Sequence, residues 1–382
     1  MKNQTKKTIG VFRIGQLLGI YAPIAVALLF TGIFSSCQKT DLNSMATEDA
    51  MDMRLHHSEL TQSNLVGNND EYAPVFVDPN LVNAWGLAFS DEGEIWVNAA
   101  ETGMSMVYDE AGMTLMPAVS IPGGGPGVSA GNPTGVLYNS TASFMIPETG
   151  EVSEFIFATE NGTIAAWASG ASAHTVVDRS AEGAVYKGIT FTKTLSSGNF
   201  LYATDFHNAR VDVFNSAFVY QPSIQFVDPD MPAGFAPFNV KAIDGLIYVT
   251  YAKQLGPDNV DDEAGPGNGY INIFTPNGTF VSRFASNGTL NSPWGIEQTA
   301  GLQKAILVGN FGNGRISVFT SAGNFKSFLQ VTEGVPVEIE GLWAIEFPGE
   351  NLEGDAHNRL YFTAGPGEEE EGLFGYLDPV ME

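Results

Sequence analysis

The stretch LYATDFHNARVDVF (201–214) decides how this chain folds, because it is written again at 306–319 as ILVGNFGNGRISVF. Both copies alternate apolar residues, pass through a short polar turn, carry an arginine (Arg210, Arg315) and resume the alternation. A side-chain period of two on either side of a Gly- or Asn-bearing turn reads as a pair of antiparallel strands. The same unit recurs as IWVNAAETGMSMVY (95–108) and, with a shorter turn, as FIFATENGTIAAW (155–167). Two further copies are interrupted: LIYVTYAK with GNGYINIF (246–253, 267–274) and LYFTAGP with GLFGYL (360–366, 372–377).

A second motif precedes each copy: NAWGLAF, NPTGVLY, VYKGITF, APFNVKA, SPWGIEQ and EGLWAIE. Aligning Trp85, Thr134, Lys187, Phe238, Trp294 and Trp343 gives spacings of 49, 53, 51, 56 and 49 residues. Repeats of this length with several short strands each predict an all-β, six-bladed β-propeller with four-stranded blades. One sheet cannot bury both of its faces, whereas sheets packed around an axis can. Glycine at the start of the innermost strand suits close approach near the axis. The last unit lacks an outer strand, and TQSNLVGN (61–68) is placed to supply it, closing the ring with an N-terminal strand. An open solenoid is the alternative, but the chain offers it no capping segments.

The composition agrees with an all-β chain. Of 382 residues, 43 are Gly and 20 Pro, and only 16% are charged. The net charge is −26, which repels nucleic acid and anionic lipid headgroups, so neither is expected as a partner. The single cysteine, Cys37, excludes an intrachain disulfide framework and a cysteine-based zinc site. It follows a basic stretch (Lys2, Lys6, Lys7, Arg13), the apolar run IGQLLGIYAPIAVALLFTGIF and the small residues Ser35 and Ser36. This is the layout of a secretory signal. The small residues resemble a bacterial lipobox, which implies cleavage before Cys37 and lipidation there, although Phe34 departs from the usual Leu-like residue. An uncleaved membrane anchor and plain secretion are the alternatives. The expected organisation is a signal peptide over 1–36, a flexible tether over 37–60 bearing His56 and His57, and the propeller over 61–382. The expected location is the cell envelope, at the outer membrane or cell surface, with the membrane engaged through the lipid alone.

The blade motifs, among them DPNLVNAWGLAF, LYATDFHNARVDVF, NSPWGI, LVGNFGNGRISVF and GLWAIEF, resemble a family of exported bacterial proteins of unknown function, some of which carry PEP-CTERM sorting tails. The resemblance covers nearly all of 75–377 and implies a propeller-like fold. It implies no catalytic residues. The chain ends GYLDPVME, which lacks the features of that tail. The repeats are also similar, more weakly, to NHL-type and gluconolactonase-like six-bladed propellers.

Propeller topology puts two sets of loops on one face. The loops into the innermost strands carry Asn83, Asn132, Asn291 and Glu340. Those joining strands two and three carry Ala99, Glu160, Asp205, Tyr251, Asn310 and Ala364 at one aligned position. Converging carboxylate and amide oxygens would suit Ca²⁺, which takes about six to eight oxygens. In gluconolactonase-like propellers such a metal polarises a carbonyl and activates water. Glu160, Asp205 and Asn310 are therefore the candidate metal ligands. Asn83, Asn132, His207 at the rim and Asn291 are candidates for a ligand face. GVSAG (127–131) matches the serine-hydrolase elbow pattern, but its Gly/Pro-rich surroundings deny it the required helix. The acidic segments GPDNVDDEAGPGNG (256–269) and GEEEEG (367–372) read as solvated loops. Two functions follow. One is a monomeric binding or scaffold module for an extracellular glycan, protein or small molecule. The other is a Ca-dependent lactonase or esterase working on the polar face.

Overall fold

The computed structural model describes residues 59–379 apart from 126, 193–197, 302–303, 349–350 and 353. The expected signal segment, Cys37, and His56 and His57 of the expected tether lie outside the described residues. Among the described residues no helix is long and apolar enough to cross a membrane.

Six sheets, which we number as blades 1–6, follow one another along the chain. Blade 1 comprises Ala84–Phe89, Ile95–Ala99, Met104–Tyr108 and Thr114–Ser120. Blade 2 comprises Pro133–Tyr138, Phe155–Thr159, Thr163–Trp167 and His174–Asp178. Blades 4 and 5 repeat the pattern from Phe235–Ile243 and Pro293–Gln298 outward. Blade 6 takes three strands from the C-terminal end, Leu342–Glu346, Leu360–Ala364 and Leu373–Pro379, and its fourth from the N-terminal side, Leu60–Gly67. The last two pair antiparallel from Leu60 opposite Pro379 to Gly67 opposite Leu373, so backbone hydrogen bonds lock the ring.

Blade 3 departs from four strands. Tyr186–Thr192, Phe200–Asp205 and Arg210–Asn215 form its sheet, and the outer edge is reduced to one bridge between Phe214 and Tyr220. Gln221 still donates its N–H to Val213, but Pro222 has no N–H with which to continue the ladder.

The middle strands bury both faces. Ile95–Ala99 and Phe155–Thr159 are buried throughout, while the outer strand Thr114–Ser120 is mostly exposed. The polar members of the alternating pattern therefore lie inside, where each needs a partner. The register of every innermost strand slips next to the aligned position, between Ala84 and Leu87 in blade 1 and between Pro293 and Ile296 in blade 5. Such a bulge frees a carbonyl from the ladder. The preceding blade supplies the donor: Asn98 Nδ2 to Thr134 O at 2.7 Å, Thr134 Oγ1 to Tyr186 O at 2.8 Å, Thr204 Oγ1 to Phe238 O at 3.1 Å and Asn239 Nδ2 to Trp294 O at 2.8 Å. Thr363 donates to Trp85 O and joins blade 6 to blade 1. The glycine beside the bulge lets neighbouring blades meet: a Cβ on Gly295 would sit 2.8 Å from the Trp343 carbonyl.

Candidate functional site

The axis is closed at the end where the chain enters the innermost strands. Four of the six aligned positions are aromatic. Trp85 stacks on Trp343 with ring centroids 3.6 Å apart, and Trp294 meets both edge-on at 6.3 and 6.0 Å. Phe311 also stacks on Trp343, at 3.9 Å, and Phe238 packs against it at 5.9 Å. The chain reaches these positions through left-handed residues, Asn83 (φ 51°), Ser292 (φ 48°) and Gly341 (φ 65°). Asn adopts this region more readily than most residues because its short polar side chain can bond locally. The Asn83 side-chain oxygen accepts the Trp343 indole N–H at 2.8 Å, and its amide donates to Glu369 at 2.7 Å.

Lys187 stands in this ring where three other blades place tryptophan. Its side chain is 3% exposed, and its ammonium lies 5.1 Å from the Trp85 ring centroid. The ammonium pairs with Glu160 and lies 3.7 Å from Asp261 Oδ1. Burial pulls the lysine pKa down, but Glu160, Asp261 and Glu369 together hold it above the ordinary range, so Lys187 is charged. One cation faces several acids. Burial pushes the Glu369 carboxyl up to about 7 against the pull of Lys187, and Glu160 adds to the rise. Burial and then Glu160 also raise Glu101, which is exposed on the rim. The end of the axis thus holds an aromatic floor, a buried ammonium and an excess of carboxylate above it.

Of the residues expected at this face, Glu160 and Asn83 belong to the cluster. Asp205 does not point into it. It is fully buried in blade 3, where Oδ1 accepts the Val185 N–H at 3.2 Å and Oδ2 lies 3.0 Å from Arg210 Nη2. Arg210 also meets Asp212 at 2.8 Å, Asp212 binds Arg179 at 2.9 Å, and Arg179 covers the Tyr220 ring. This network fills the edge of blade 3 that lacks a full outer strand, which accounts for an acid where two other blades carry alanine. Asn310 is likewise spent within blade 5: Oδ1 accepts the Asn291 N–H at 2.9 Å and Nδ2 donates to Arg315 O at 2.9 Å. Asn291 Oδ1 accepts the Gly265 N–H at 2.7 Å, and Asn132 brackets Asn161 and Ala100. His207 Nδ1 is tied to the Asp258 carbonyl at 2.9 Å.

Glu160, Asp205 and Asn310 therefore do not form one ligand set. Asp205 and Asn310 are taken up by Arg210 and by N–H donors, and Glu160 pairs with Lys187, an arrangement that does not fit a shared Ca²⁺ site. Among the described residues no group of three or more His, Cys, Asp or Glu stands close enough to hold a metal ion. The two acidic segments are also more than solvated loops. Asp261 of the first lies 3.7 Å from the Lys187 ammonium, and Glu369 of the second accepts from Asn83 and acts electrostatically on the same lysine. The signal for this site was Lys187 itself, a lysine in an aromatic register. The path of the two loops carried none.

No family model matches the chain. It is 30% identical over 326 residues to the uncharacterised protein R648 of Acanthamoeba polyphaga mimivirus, covering 82% of this chain and 78% of the relative. It is 29% identical over 335 residues to the uncharacterised protein L690 of the same virus, covering 82% and 84%. The chain belongs to the family of R648. Among solved structures it resembles virginiamycin B lyase from Staphylococcus aureus, with a TM-score of 0.50 and 13% identity, covering 84% of this chain and 99% of the lyase. At that identity the likeness shows the propeller fold alone. The relatives are viral and uncharacterised, so membership of an exported bacterial family is not established by them.

Proposed function

We propose that the protein is a binding module whose closed axial end receives a cationic group, such as a basic segment of a partner protein. The observation that carries this reading is the charge imbalance at Lys187. Glu160 and Asp261 pair with the one buried ammonium, Glu369 acts on it as well, and the rim residue Glu101 stands near Glu160, so the acids outnumber the cation. The overall charge of −26 would steer such a partner toward the protein. With the lipobox-like Cys37, the same reading makes the protein an exported, lipid-anchored module at the cell envelope, presenting this end to an extracellular partner. Titration of the full-length protein with a fluorescent lysine-rich peptide tests it. Binding should be strong at low salt, fall as salt rises, and weaken several-fold in Glu101→Gln/Asp261→Asn. Equal binding by that variant, or none by either protein, would overturn the reading. Metabolic labelling with palmitate, lost in Cys37→Ser, tests the anchor.

A further inference from the structure

The opposite end of the axis is open. A cavity of about 330 Å³ enters from the face that carries the loops between first and second strands, and the innermost strands of all six blades line it. Leu87, Val136, Ile189, Phe191, Ile296 and Ile345 give it apolar walls. Lys241 and Glu346, which line it, and Glu297 beside them stand at one register of the repeat, three residues beyond the aligned position, in consecutive blades. Lys241 Nζ lies 2.9 Å from Glu297 Oε2 and 3.2 Å from Glu346 Oε1. Lys241 and Glu346 keep 27% and 28% of their side chains accessible, and both line the cavity. Asp91 also lines the cavity, after the innermost strand of blade 1. Two carboxylates thus answer one ammonium, which leaves the cluster with an excess of acid. Burial pushes Glu346 up to about 7 despite Lys241, and Glu297 adds to the rise.

We propose that this cavity binds a compact organic cation, an ammonium or amidinium group carried on an apolar body. The cationic head donates to Glu346 beside Lys241, and the body packs on the aliphatic and aromatic walls. The chemistry excludes the alternatives. An anion finds the one ammonium already held between two carboxylates. A neutral apolar ligand would cover charged groups without pairing them, which is costly. The volume lies at the small end of the range for ligand pockets, about 300–1,000 Å³.

The test uses the full-length protein and phenethylammonium, with 2-phenylethanol and 3-phenylpropionate as neutral and anionic counterparts, titrated by calorimetry and ligand-observed NMR. The ammonium compound should bind about tenfold or more tightly than the alcohol, and the carboxylate should not bind. Glu346→Gln should weaken ammonium binding by about tenfold or more, since it removes a charged acceptor. Ser140→Trp, at an exposed lining position of the mouth, should weaken it as well without shifting the thermal unfolding midpoint. Glu101→Gln/Asp261→Asn at the other end should leave it unchanged, so failure here is separable from failure of the basic-partner reading. The proposal is overturned if the three probes bind alike, if phenethylammonium does not bind at millimolar concentration, or if both cavity variants bind it as the natural protein does.

Discussion

The two ends of the axis are built from the same six strands and reach opposite solutions. At one end the strands begin with Trp85, Phe238, Trp294 and Trp343, whose rings close the hole. At the other end they carry smaller groups, Ala88, Ala242 and Ala344 among them, and the cavity stays open. Each end places a lysine among glutamates, but the scaffolding differs. Glu160, Asp261 and Glu369 come to Lys187 on loops, whereas Lys241, Glu297 and Glu346 all project from innermost strands. Side chains held on a strand ladder are positioned more exactly than those on loops, and loops are free to follow a partner's shape. The closed end is therefore suited to a macromolecular contact and the open end to a small ligand.

The largest effect should come from opening the closed end. Trp343→Ala removes the ring on which Trp85 and Phe311 stack, and should cost about 3–5 kcal/mol in urea unfolding. A loss below 1 kcal/mol would mean that the aromatic floor is not the keystone of that end. Lys187→Met comes next. It leaves Glu160, Glu369 and Asp261 without their cation and should cost about 3 kcal/mol, with much of the loss recovered in Lys187→Met/Glu160→Gln. No recovery would show that the lysine matters for packing rather than charge.

Asp205→Asn should cost about 1–3 kcal/mol by turning a second amide donor toward the Val185 N–H and Asn208, with ligand binding at both ends unchanged. Lost binding would return Asp205 to the functional face.

The smallest effect is on pH dependence. Glu346 and Glu369 both have folded-state pKa values raised to about 7, above the ordinary glutamate range. The native state then binds the more protons. Their contribution is fully present below about pH 4.5 and is lost as pH rises through about 7. The melting point should accordingly be several degrees higher at pH 5 than at pH 8, after other titrations are matched. Glu346→Gln and Glu369→Gln should each flatten part of that slope, and a slope that neither changes would remove the electrostatic distinction of both ends.

Much of the fold was legible because it is periodic. The aligned positions mark the register of each innermost strand, and the missing outer strand of the last repeat pointed to residues 61–68, which form most of the closing strand Leu60–Gly67. The site was legible in part. Glu160 and Asn83 sit where the loop order puts them, and Lys187 is conspicuous among tryptophans. The register of Lys241, Glu297 and Glu346 also stands in the repeats, as VKA, IEQ and AIE, but it acquires meaning only when three blades bring the side chains to one point. Asp205 misled for the opposite reason. Its chemistry suits a metal, and only the surrounding fold shows Arg210 and two N–H donors already satisfying it.

By itself the sequence determined what repetition can encode: six units, their strands and the strand that closes the ring. These depend on local alternation and on contacts that recur at a fixed spacing. The tertiary structure alone decided which polar groups are consumed by the scaffold and which are left facing open space. Two loops about a hundred residues apart, carrying Asp261 and Glu369, both act on one ammonium, and no period in the sequence records where a loop turns.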